Sequence, residues 1–323
     1  MIAIPTKHID PLQVSGKASP VGIILGIERF CTRDGPGIRT TVFFKGCPLQ
    51  CAWCHNPEGL SRQQSISFAQ ETCIACGRCV EACEHGAHHL IGDSGNAPGL
   101  HSFDRIRCTV CGRCAQACPT GALEVVGRHV SVDAVLHEVL QDQPFYSRSG
   151  GGLTLSGGEP TAQIEFALAL LEAAKRVGLH CCIETSGYSS WQNFAQLLPF
   201  VDLFLFDYKE SNAKRHLEYV GQSNEVILRN LKALHDHGAK IQLQCPIVPG
   251  YNDREEHLQA ICAIAKNLPG LVGMRLLAYH PLGTDKLRKL GFPSVEKPSG
   301  VPNLDELSRW TKVLTEQGIR IAT

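Results

Sequence analysis

Three cysteines in one short loop have the spacing to hold a reactive iron–sulfur cluster. The run GCPLQCAWCHN contains Cys47, Cys51 and Cys54, separated by three and then two residues. A [4Fe–4S] cluster normally takes four cysteine thiolates, one for each iron. Three thiolates from one loop leave one iron open, as catalytic metal sites keep an open coordination position. The spacing therefore predicts a cluster that binds a small chelating molecule and passes an electron to it. His55 follows directly, so this loop taken alone also fits a zinc site.

Eight more cysteines follow in two runs of equal spacing. Both runs have gaps of two, two and three residues, and Pro119 follows the second run, as in the bacterial ferredoxin pattern. In two-cluster ferredoxins the fourth cysteine of each run binds the other cluster. We therefore predict one auxiliary cluster on Cys73, Cys76, Cys79 and Cys118, and a second on Cys83, Cys108, Cys111 and Cys114. The repeat favours iron–sulfur ligation over zinc or disulfides.

Composition and charge exclude several classes of protein. A chain of 323 residues can bury a core without disulfides, so its 16 cysteines indicate a reducing, cytoplasmic setting. Lys plus Arg equals Asp plus Glu at 31 each, so no overall charge favours nucleic acid or anionic lipid. The first 20 residues contain no long apolar region, and the run GIILGI is too short to span a membrane. We expect anaerobic working conditions, because a cluster with an open iron is oxygen-labile.

Strands and helices alternate through most of the chain. Apolar and β-branched runs predict strands at 40–46, 151–157, 180–186, 202–208, 240–248 and 273–280. Helical spacing and capping residues predict helices at 131–141, 163–177, 225–237, 255–268 and 304–317. Most strand runs are continuously apolar, as expected for parallel strands covered on both faces. The alternation predicts an α/β fold, a partial or complete parallel (β/α) barrel of about six strands.

Residues 62–127 interrupt this alternation and contain both ferredoxin runs, so we predict that they form an inserted ferredoxin-like module with two clusters. Residues 1–61 then hold an N-terminal segment, the first barrel strand and the Cys47 loop, and residues 128–323 hold the rest of the barrel. Barrels of this kind place their chemistry at the carboxyl ends of the strands. The other predicted strand ends carry Gly157, Gly158, Glu159, Glu184, Asp207, Tyr208, Lys209 and His280. Alternation along the strand puts Asp207 and Lys209 on one face.

The run CPLQCAWC resembles the radical S-adenosylmethionine signature, in which the cysteine triplet binds a cluster that chelates S-adenosylmethionine. Residues 27–58, with DGPGIRT at 34–40 and the following WCHNPE, are similar to the activating enzymes of glycyl radical enzymes. The paired ferredoxin insert is similar to that of family members serving choline, glycerol, arylacetate, sulfonate or hydrocarbon lyases. The resemblance covers essentially the whole chain. It implies an oxidoreductase that cleaves S-adenosylmethionine to methionine and a 5′-deoxyadenosyl radical, which takes a hydrogen from a backbone glycine of a partner enzyme.

The resemblance also implies roles for individual residues. The triplet would hold the reactive cluster, with no side chain acting as acid or base. Trp53 would lie against the adenine, and Gly158 would meet the methionine amino group through its backbone. The implied cofactor-binding set is Trp53, Cys54, His55, Gly158, Glu159, Asp207, Tyr208, Lys209 and His280. Glu184 stands where the formate-lyase activating enzyme has an aspartate in a monovalent-cation site, so whether a cation binds here stays open. Asp34 and Arg39 would contact the glycine loop of the partner at the mouth of the barrel.

The predicted partners are a glycyl radical enzyme and a low-potential electron donor such as flavodoxin or ferredoxin, with neither nucleic acid nor membrane. We expect a monomer carrying three [4Fe–4S] clusters. Two alternatives stay open. One is a radical S-adenosylmethionine enzyme that modifies a peptide. The other is a ferredoxin-type electron-transfer protein fused to a barrel of different function, which does not explain the cysteine triplet. The DGPGIRT segment favours the activating enzyme.

Overall fold

The computed structural model describes residues 19–92, 100–293, 298 and 300–321. The first 18 residues of the predicted N-terminal segment and residues 93–99 of the predicted insert lie outside this part. The strands are β1 (Val21–Cys31), β2 (Arg39–Phe44), β3 (Ser65–Phe68), β4 (His88–Ile91), β5 (Leu100–Phe103), β6 (Leu123–Val126), β7 (Arg128–Ser131), β8 (Gly152–Gly157), β9 (His180–Thr185), β10 (Leu203–Asp207), β11 (Ile241–Ile247) and β12 (Gly273–Ala278). The helices are α1 (Arg78–Glu81), α2 (Arg113–Ala117), α3 (Val132–Leu140), α4 (Gln143–Ser149), α5 (Ile164–Arg176), α6 (Trp191–Leu197), α7 (Ala213–Val220), α8 (Glu225–Asp236), α9 (Glu255–Asn267), α10 (Leu282–Lys289) and α11 (Leu304–Glu316).

Eight strands form one sheet in the order β12-β11-β10-β9-β8-β2-β1-β7. The six strands from β2 to β12 in this sheet pair in parallel, which confirms the predicted parallel α/β fold. Within the described residues β12 and β7 remain the two edges, so the barrel is partial. Strands β1 and β7 were not predicted, and β1 runs antiparallel to both β2 and β7.

Four of the described helices, α3, α6, α7 and α11, begin at a residue whose side chain accepts a hydrogen bond from a free backbone N–H group. The Ser131 hydroxyl accepts a hydrogen bond from the backbone of Ala134 at the start of α3. Asn303 and Glu306 form a capping box at the start of α11, as their spacing predicted. The short helices α4, α6, α7 and α10 were not predicted, because seven or eight residues give a weak periodic signal.

The core lies on both faces of the parallel sheet. Leu153 and Leu155 on β8 are fully buried, and so is Ile183 on β9. Helix α11 covers the sheet with Trp310 and Leu314, which are also fully buried. This two-sided burial explains the continuously apolar strand sequences. None of the described helices is long and apolar enough to cross a bilayer.

Two small antiparallel sheets lie within residues 62–127. Strand β3 pairs with β6, and β4 pairs with β5. Their core is small, with Ile66 and Leu123 packed against Cys79 and Cys114. Because so few apolar side chains are buried, burial stabilises this module only a little. Metal binding is therefore needed to hold such a module together.

Candidate functional site

A cavity of about 450 Å³ lies inside the partial barrel. At the carboxyl ends of the strands it is lined by the cysteine triplet and by the residues that follow β8, β10 and β12. These lining residues are Cys47, Cys51, Trp53, Cys54, His55, Gly158, Asp207, Lys209 and His280. The structure therefore brings together most of the side chains that the sequence assigned to one ligand site.

The loop with the triplet is fixed on both sides. Cys47 N donates to Leu60 O at 3.0 Å, and the fully buried Lys45 ammonium donates to the carbonyls of Glu58 and Ser61 at 2.7 and 3.0 Å. On the other side, Gln50 N donates to the carbonyl that ends α7 at 2.9 Å. These bonds hold the three sulfur atoms toward the same cavity.

The three thiols are suited to bind a metal cluster. All 16 cysteines of the chain are free. Burial raises the pKa of Cys47 and Cys51 to about 12 and that of Cys54 to about 11. At neutral pH these thiols therefore keep their protons unless a metal replaces them, and metal binding releases those protons. The donor set fits an iron–sulfur cluster, which prefers thiolates.

Two histidines form one wall of the cavity. The rings of His55 and His280 stack with centroids 3.8 Å apart and planes within 14°. Burial, reinforced by His280, lowers the pKa of His55 to about 4, so its ring is neutral at pH 7. Its Nε2 atom is buried and has no hydrogen-bond partner within the described part of the chain. An unpartnered nitrogen in this position is expected where a polar organic ligand completes the site.

A buried ion pair also lines the cavity. Lys209 Nζ is 2.7 Å from Asp207 Oδ2, and both side chains are only 15% exposed. Burial alone lowers the pKa of Lys209, but the Asp207 carboxylate outweighs it and raises that pKa above its ordinary value. Gln244 aligns with Asp207 in the sheet, lines the same cavity, and has a buried Oε1 atom without a partner. Together these groups can bind a ligand that carries both an ammonium and a carboxylate.

Glu184 is a second carboxyl group that lines the cavity. Ser156 donates a short hydrogen bond to Glu184. Burial, reinforced by the Asp207 carboxylate, raises the pKa of Glu184 to about 7. A carboxyl group with this pKa changes charge near neutral pH, and a cation bound beside it would favour the ionised form.

Glu159 and Tyr208 do not line the cavity with their side chains, contrary to prediction. Glu159 is fully buried behind the cavity wall, where its carboxylate accepts hydrogen bonds from Thr185 Oγ1 at 2.9 Å and from Ser186 N at 2.8 Å. Tyr208 stacks on His257 with ring centroids 5.6 Å apart. Alternation along the strand directs Tyr208 away from the face that Asp207 shares with Lys209. Glu159 holds the ends of β8 and β9 together instead.

The DGPGIRT segment lies at the amino end of β2, whereas the cysteine loop follows its carboxyl end. Asp34 lines the cavity from that far end, where its Oδ2 accepts a hydrogen bond from Thr41 at 2.7 Å. The segment and the cysteine loop therefore line the same cavity, and a contact of Asp34 with the partner stays a prediction. Arg33 and Arg275 also line the far end, and Arg275 donates a short hydrogen bond to the Arg33 carbonyl. Arg275 and Gln244 were missed, although each is a polar residue inside an apolar strand run.

Arg39 is fully buried, so the predicted partner contact is wrong for this residue. Its guanidinium donates to Thr154 Oγ1 at 2.6 Å and to the carbonyls of Pro36, Leu153 and His180 at 3.0, 2.5 and 3.1 Å. These acceptors come from the turn, β8 and β9. Arg39 Nη1 also lies 3.4 Å from His180 Nδ1, so all five N–H groups of the guanidinium have an acceptor within the chain. Arg39 therefore fastens the segment to the sheet and leaves no donor for another protein.

The eight insert cysteines are divided between two small cavities. One is lined by Cys73, Cys76, Cys79 and Cys118. The other is lined by Cys83, Cys108, Cys111 and Cys114. These are the same two groups of four that the spacing predicted. Each cavity offers four sulfur donors, which fits one [4Fe–4S] cluster each.

Helix α10 connects the insert with the reactive loop. A Cβ atom at Gly283 would lie 2.0 Å from Cys54 O, so this helix packs directly on the loop backbone. Lys286 pairs with Glu58 at 2.6 Å. From the insert, Arg105 donates to the carbonyl of the last residue of α10 at 2.6 Å. One helix thus contacts both cluster-binding regions.

Three family models match the chain. They are described as Radical SAM superfamily, over residues 105–261, 4Fe-4S dicluster domain, over 66–125, and 4Fe-4S single cluster domain, over 33–88. The chain is 43% identical to the isethionate sulfite-lyase activating enzyme of Nitratidesulfovibrio vulgaris, over 88% of this chain and 91% of that one. It is 40% identical to the benzylsuccinate synthase activating enzyme of Thauera aromatica, over 87% and 85%. It is 37% identical to the trans-4-hydroxy-L-proline dehydratase activating enzyme of Clostridioides difficile, over 90% and 98%.

Proposed function

We propose how the cavity works from one premise, that the chain belongs to the glycyl radical enzyme activating enzymes of the radical S-adenosylmethionine superfamily. Enzymes of this family are oxidoreductases that cleave S-adenosylmethionine and generate a radical on their partner. The chain carries iron–sulfur clusters and uses S-adenosylmethionine. Each of these groups has a set of residues suited to hold it.

The reactive cluster is held by Cys47, Cys51 and Cys54, and the two insert quartets hold one further [4Fe–4S] cluster each. The observation that supports this assignment is the lining of three separate cavities by three, four and four cysteines. When bound and reduced, the reactive cluster supplies one electron to S-adenosylmethionine, giving methionine and the 5′-deoxyadenosyl radical. The chain supplies position and exclusion of water.

S-adenosylmethionine binds between the histidine wall and the buried ion pair. Lys209 and Asp207 offer opposite charges to its carboxylate and its ammonium or hydroxyl groups. Gly158 lets the backbone meet the methionine end, since a Cβ atom there would lie 2.4 Å from a neighbouring carbonyl. Trp53, only 5% exposed, and His55 provide flat surfaces for the adenine. Glu184 is the residue to which we assign a monovalent cation.

The partner is a glycyl radical enzyme, and its glycine loop enters the same cavity. A 5′-deoxyadenosyl radical is so reactive that its target must lie in van der Waals contact when it forms. The far end of the cavity, with Asp34, Arg33 and Arg275, offers both charges to the polar backbone of such a loop. The relatives differ in which lyase or dehydratase they activate. A flavodoxin or ferredoxin donor, a monomeric state and a cytoplasmic location stay predictions.

The test is cluster content together with S-adenosylmethionine cleavage. Anaerobically reconstituted protein should contain about twelve irons, and reduced protein should form 5′-deoxyadenosine. Replacing Cys47, Cys51 and Cys54 with Ala should remove about a third of the iron and all cleavage. Cys31→Ala, at a half-exposed cysteine outside the three cavities, is the matched control and should retain both. Cleavage that persists in the triple variant contradicts the assignment, and wild-type protein that forms no 5′-deoxyadenosine would instead be an electron carrier.

A further inference from the structure

Two buried histidines lie between the two cysteine cavities of the insert. His101 lines the cavity of Cys73, Cys76, Cys79 and Cys118. His88 lines the cavity of Cys83, Cys108, Cys111 and Cys114. The two side chains come from the paired strands β4 and β5, and they are 1% exposed for His88 and 5% for His101. The reaction assigned to the barrel cavity uses neither of them.

The two rings contact each other and the sulfur atoms of one cavity only. His88 Nδ1 is 3.0 Å from His101 Nε2. His101 Nδ1 is 3.6 Å from Cys73 Sγ, and its Nε2 is 3.5 Å from Cys79 Sγ. Aromatic neighbours hold both rings, since His88 stacks on Phe103 and His101 meets Phe68 edge-on, each at 4.5 Å.

The tautomers of the two rings set the direction of their hydrogen bonds. A neutral imidazole carries one N–H donor and one acceptor nitrogen. Two adjacent buried imidazoles disfavour a positive charge on either ring. If His88 Nδ1–H donates to His101 Nε2, then His101 carries its proton on Nδ1 and donates it to Cys73 Sγ. In this arrangement both nitrogens of His101 have partners.

The first cysteine of each run has a matching backbone donor. Ala75 N donates to Cys73 Sγ and Val110 N donates to Cys108 Sγ, both at 3.4 Å, and both donors have positive φ. Cys108 is the counterpart of Cys73 in the second run, yet among the described residues no imidazole nitrogen lies within hydrogen-bond distance of its sulfur. At the fourth cysteine of each run, Ala87 N donates to Cys83 Sγ at 3.4 Å in the second site, and the Thr120 hydroxyl lies 3.6 Å from Cys118 Sγ in the first. The first site alone adds a buried imidazole to these donors. Hydrogen bonds to cluster sulfur raise the reduction potential, because they stabilise the more negative reduced cluster.

We propose that His88 and His101 form a hydrogen-bonded bridge between the two insert sites, and that this bridge makes the cluster bound by Cys73 the easier of the two to reduce. The proposal rests on the proposed function only in taking the quartets as cluster sites. His101 acts as the donor to sulfur, and His88 is a positioning residue that fixes the proton of His101.

The test measures the reduction potential of each cluster in the full-length reconstituted protein, by electron paramagnetic resonance at set potentials without S-adenosylmethionine. The reactive cluster is identified by its response when S-adenosylmethionine is added afterwards. His101→Phe should lower the potential of the higher-potential insert cluster, reducing its equilibrium constant for reduction about tenfold, which is about 59 mV for one electron. His88→Phe should shift the same cluster less. His89→Phe, at an exposed position of the same strand, is the matched control and should shift neither.

Iron content separates the outcomes. If His101→Phe keeps its full iron content and its cluster potentials are unchanged, the bridge is overturned and the cluster assignment stands. A shift confined to the lower-potential cluster has the same meaning. If His101→Phe loses iron, the His88→Phe variant provides the test, because His88 donates to His101 and not to sulfur. An unshifted cluster potential in His88→Phe then overturns the proposal. Wild-type protein whose insert holds no iron overturns both the bridge and the cluster assignment. Strong nitrogen coupling in 15N-histidine-labelled protein would show that His101 is an iron ligand, which contradicts a hydrogen bond.

Discussion

Replacing Arg39 with methionine separates a structural role from a docking role. The variant keeps most of the apolar stem but removes the guanidinium, which donates to two buried acceptors, Thr154 Oγ1 and the Leu153 carbonyl, and to the partly buried carbonyls of Pro36 and His180. Each buried acceptor left without its donor costs about 1–3 kcal/mol, and the strand carbonyls keep part of their bonding. We expect the free energy of unfolding to fall by about 3–5 kcal/mol, because two buried acceptors lose their donor.

Anaerobic thermal unfolding of the reconstituted protein measures this effect. At about 2–4 °C for each kcal/mol in a chain of this size class, Arg39→Met should melt at least about 6 °C below the wild type. Arg33→Met, at an exposed arginine of the same segment, should melt within about 2 °C of it. If Arg39→Met instead melts like the wild type but no longer activates a partner, the guanidinium contacts the partner and the burial argument is wrong.

Three further predictions concern the barrel cavity. Because the pKa of Glu184 is raised to about 7 from an unfolded value of about 4.3, the wild type should lose stability as pH rises through that interval. Glu184→Gln should not, so the difference in free energy of unfolding between the two proteins should grow from pH 5 to pH 8, reaching at most about 3 kcal/mol. A difference that stays constant with pH contradicts the raised pKa. Asp207→Asn should weaken S-adenosylmethionine binding by about 1–3 kcal/mol in equilibrium binding with clusters intact, while the exposed Asp236→Asn should have no effect. Gly283→Ala should displace α10 from the Cys54 carbonyl and lower iron occupancy of the reactive site, whereas Gly26→Ala, which has open space around its Cα, should not.

The sequence predicted the parts of this molecule whose chemistry or periodicity is local. Cysteine spacing predicted the two quartets, and continuous apolar runs predicted all six parallel strands. Alternation along β10 was enough to place Asp207 and Lys209 on one face. The same alternation puts Tyr208, which lies between them, on the opposite face, and would have excluded it from the ligand site. Strand β1 was missed because its eleven residues include Gly22 and Gly26 and end in a charged stretch, which weakens the strand signal.

The features that the sequence did not predict depend on contacts between distant segments. An arginine in a turn-like segment is ordinarily solvated, and only the acceptors from β8 and β9 reveal that Arg39 is buried. Glu159 follows two glycines in an apparent turn, yet its carboxylate accepts hydrogen bonds from Thr185, the last residue of β9, and from Ser186. The link between insert and barrel through α10 and Arg105 likewise joins residues more than 180 positions apart. None of these contacts leaves a periodic trace in the sequence.

The most direct test of the central claim is formation of a glycyl radical on a partner. The reduced, reconstituted protein is mixed anaerobically with S-adenosylmethionine and a candidate glycyl radical enzyme labelled with deuterium at its glycine Cα positions. We predict a glycyl radical signal in electron paramagnetic resonance and transfer of deuterium into the methyl group of 5′-deoxyadenosine. Cleavage of S-adenosylmethionine that continues without either signal on any candidate lyase or dehydratase would contradict activation of a glycyl radical enzyme and favour modification of a peptide.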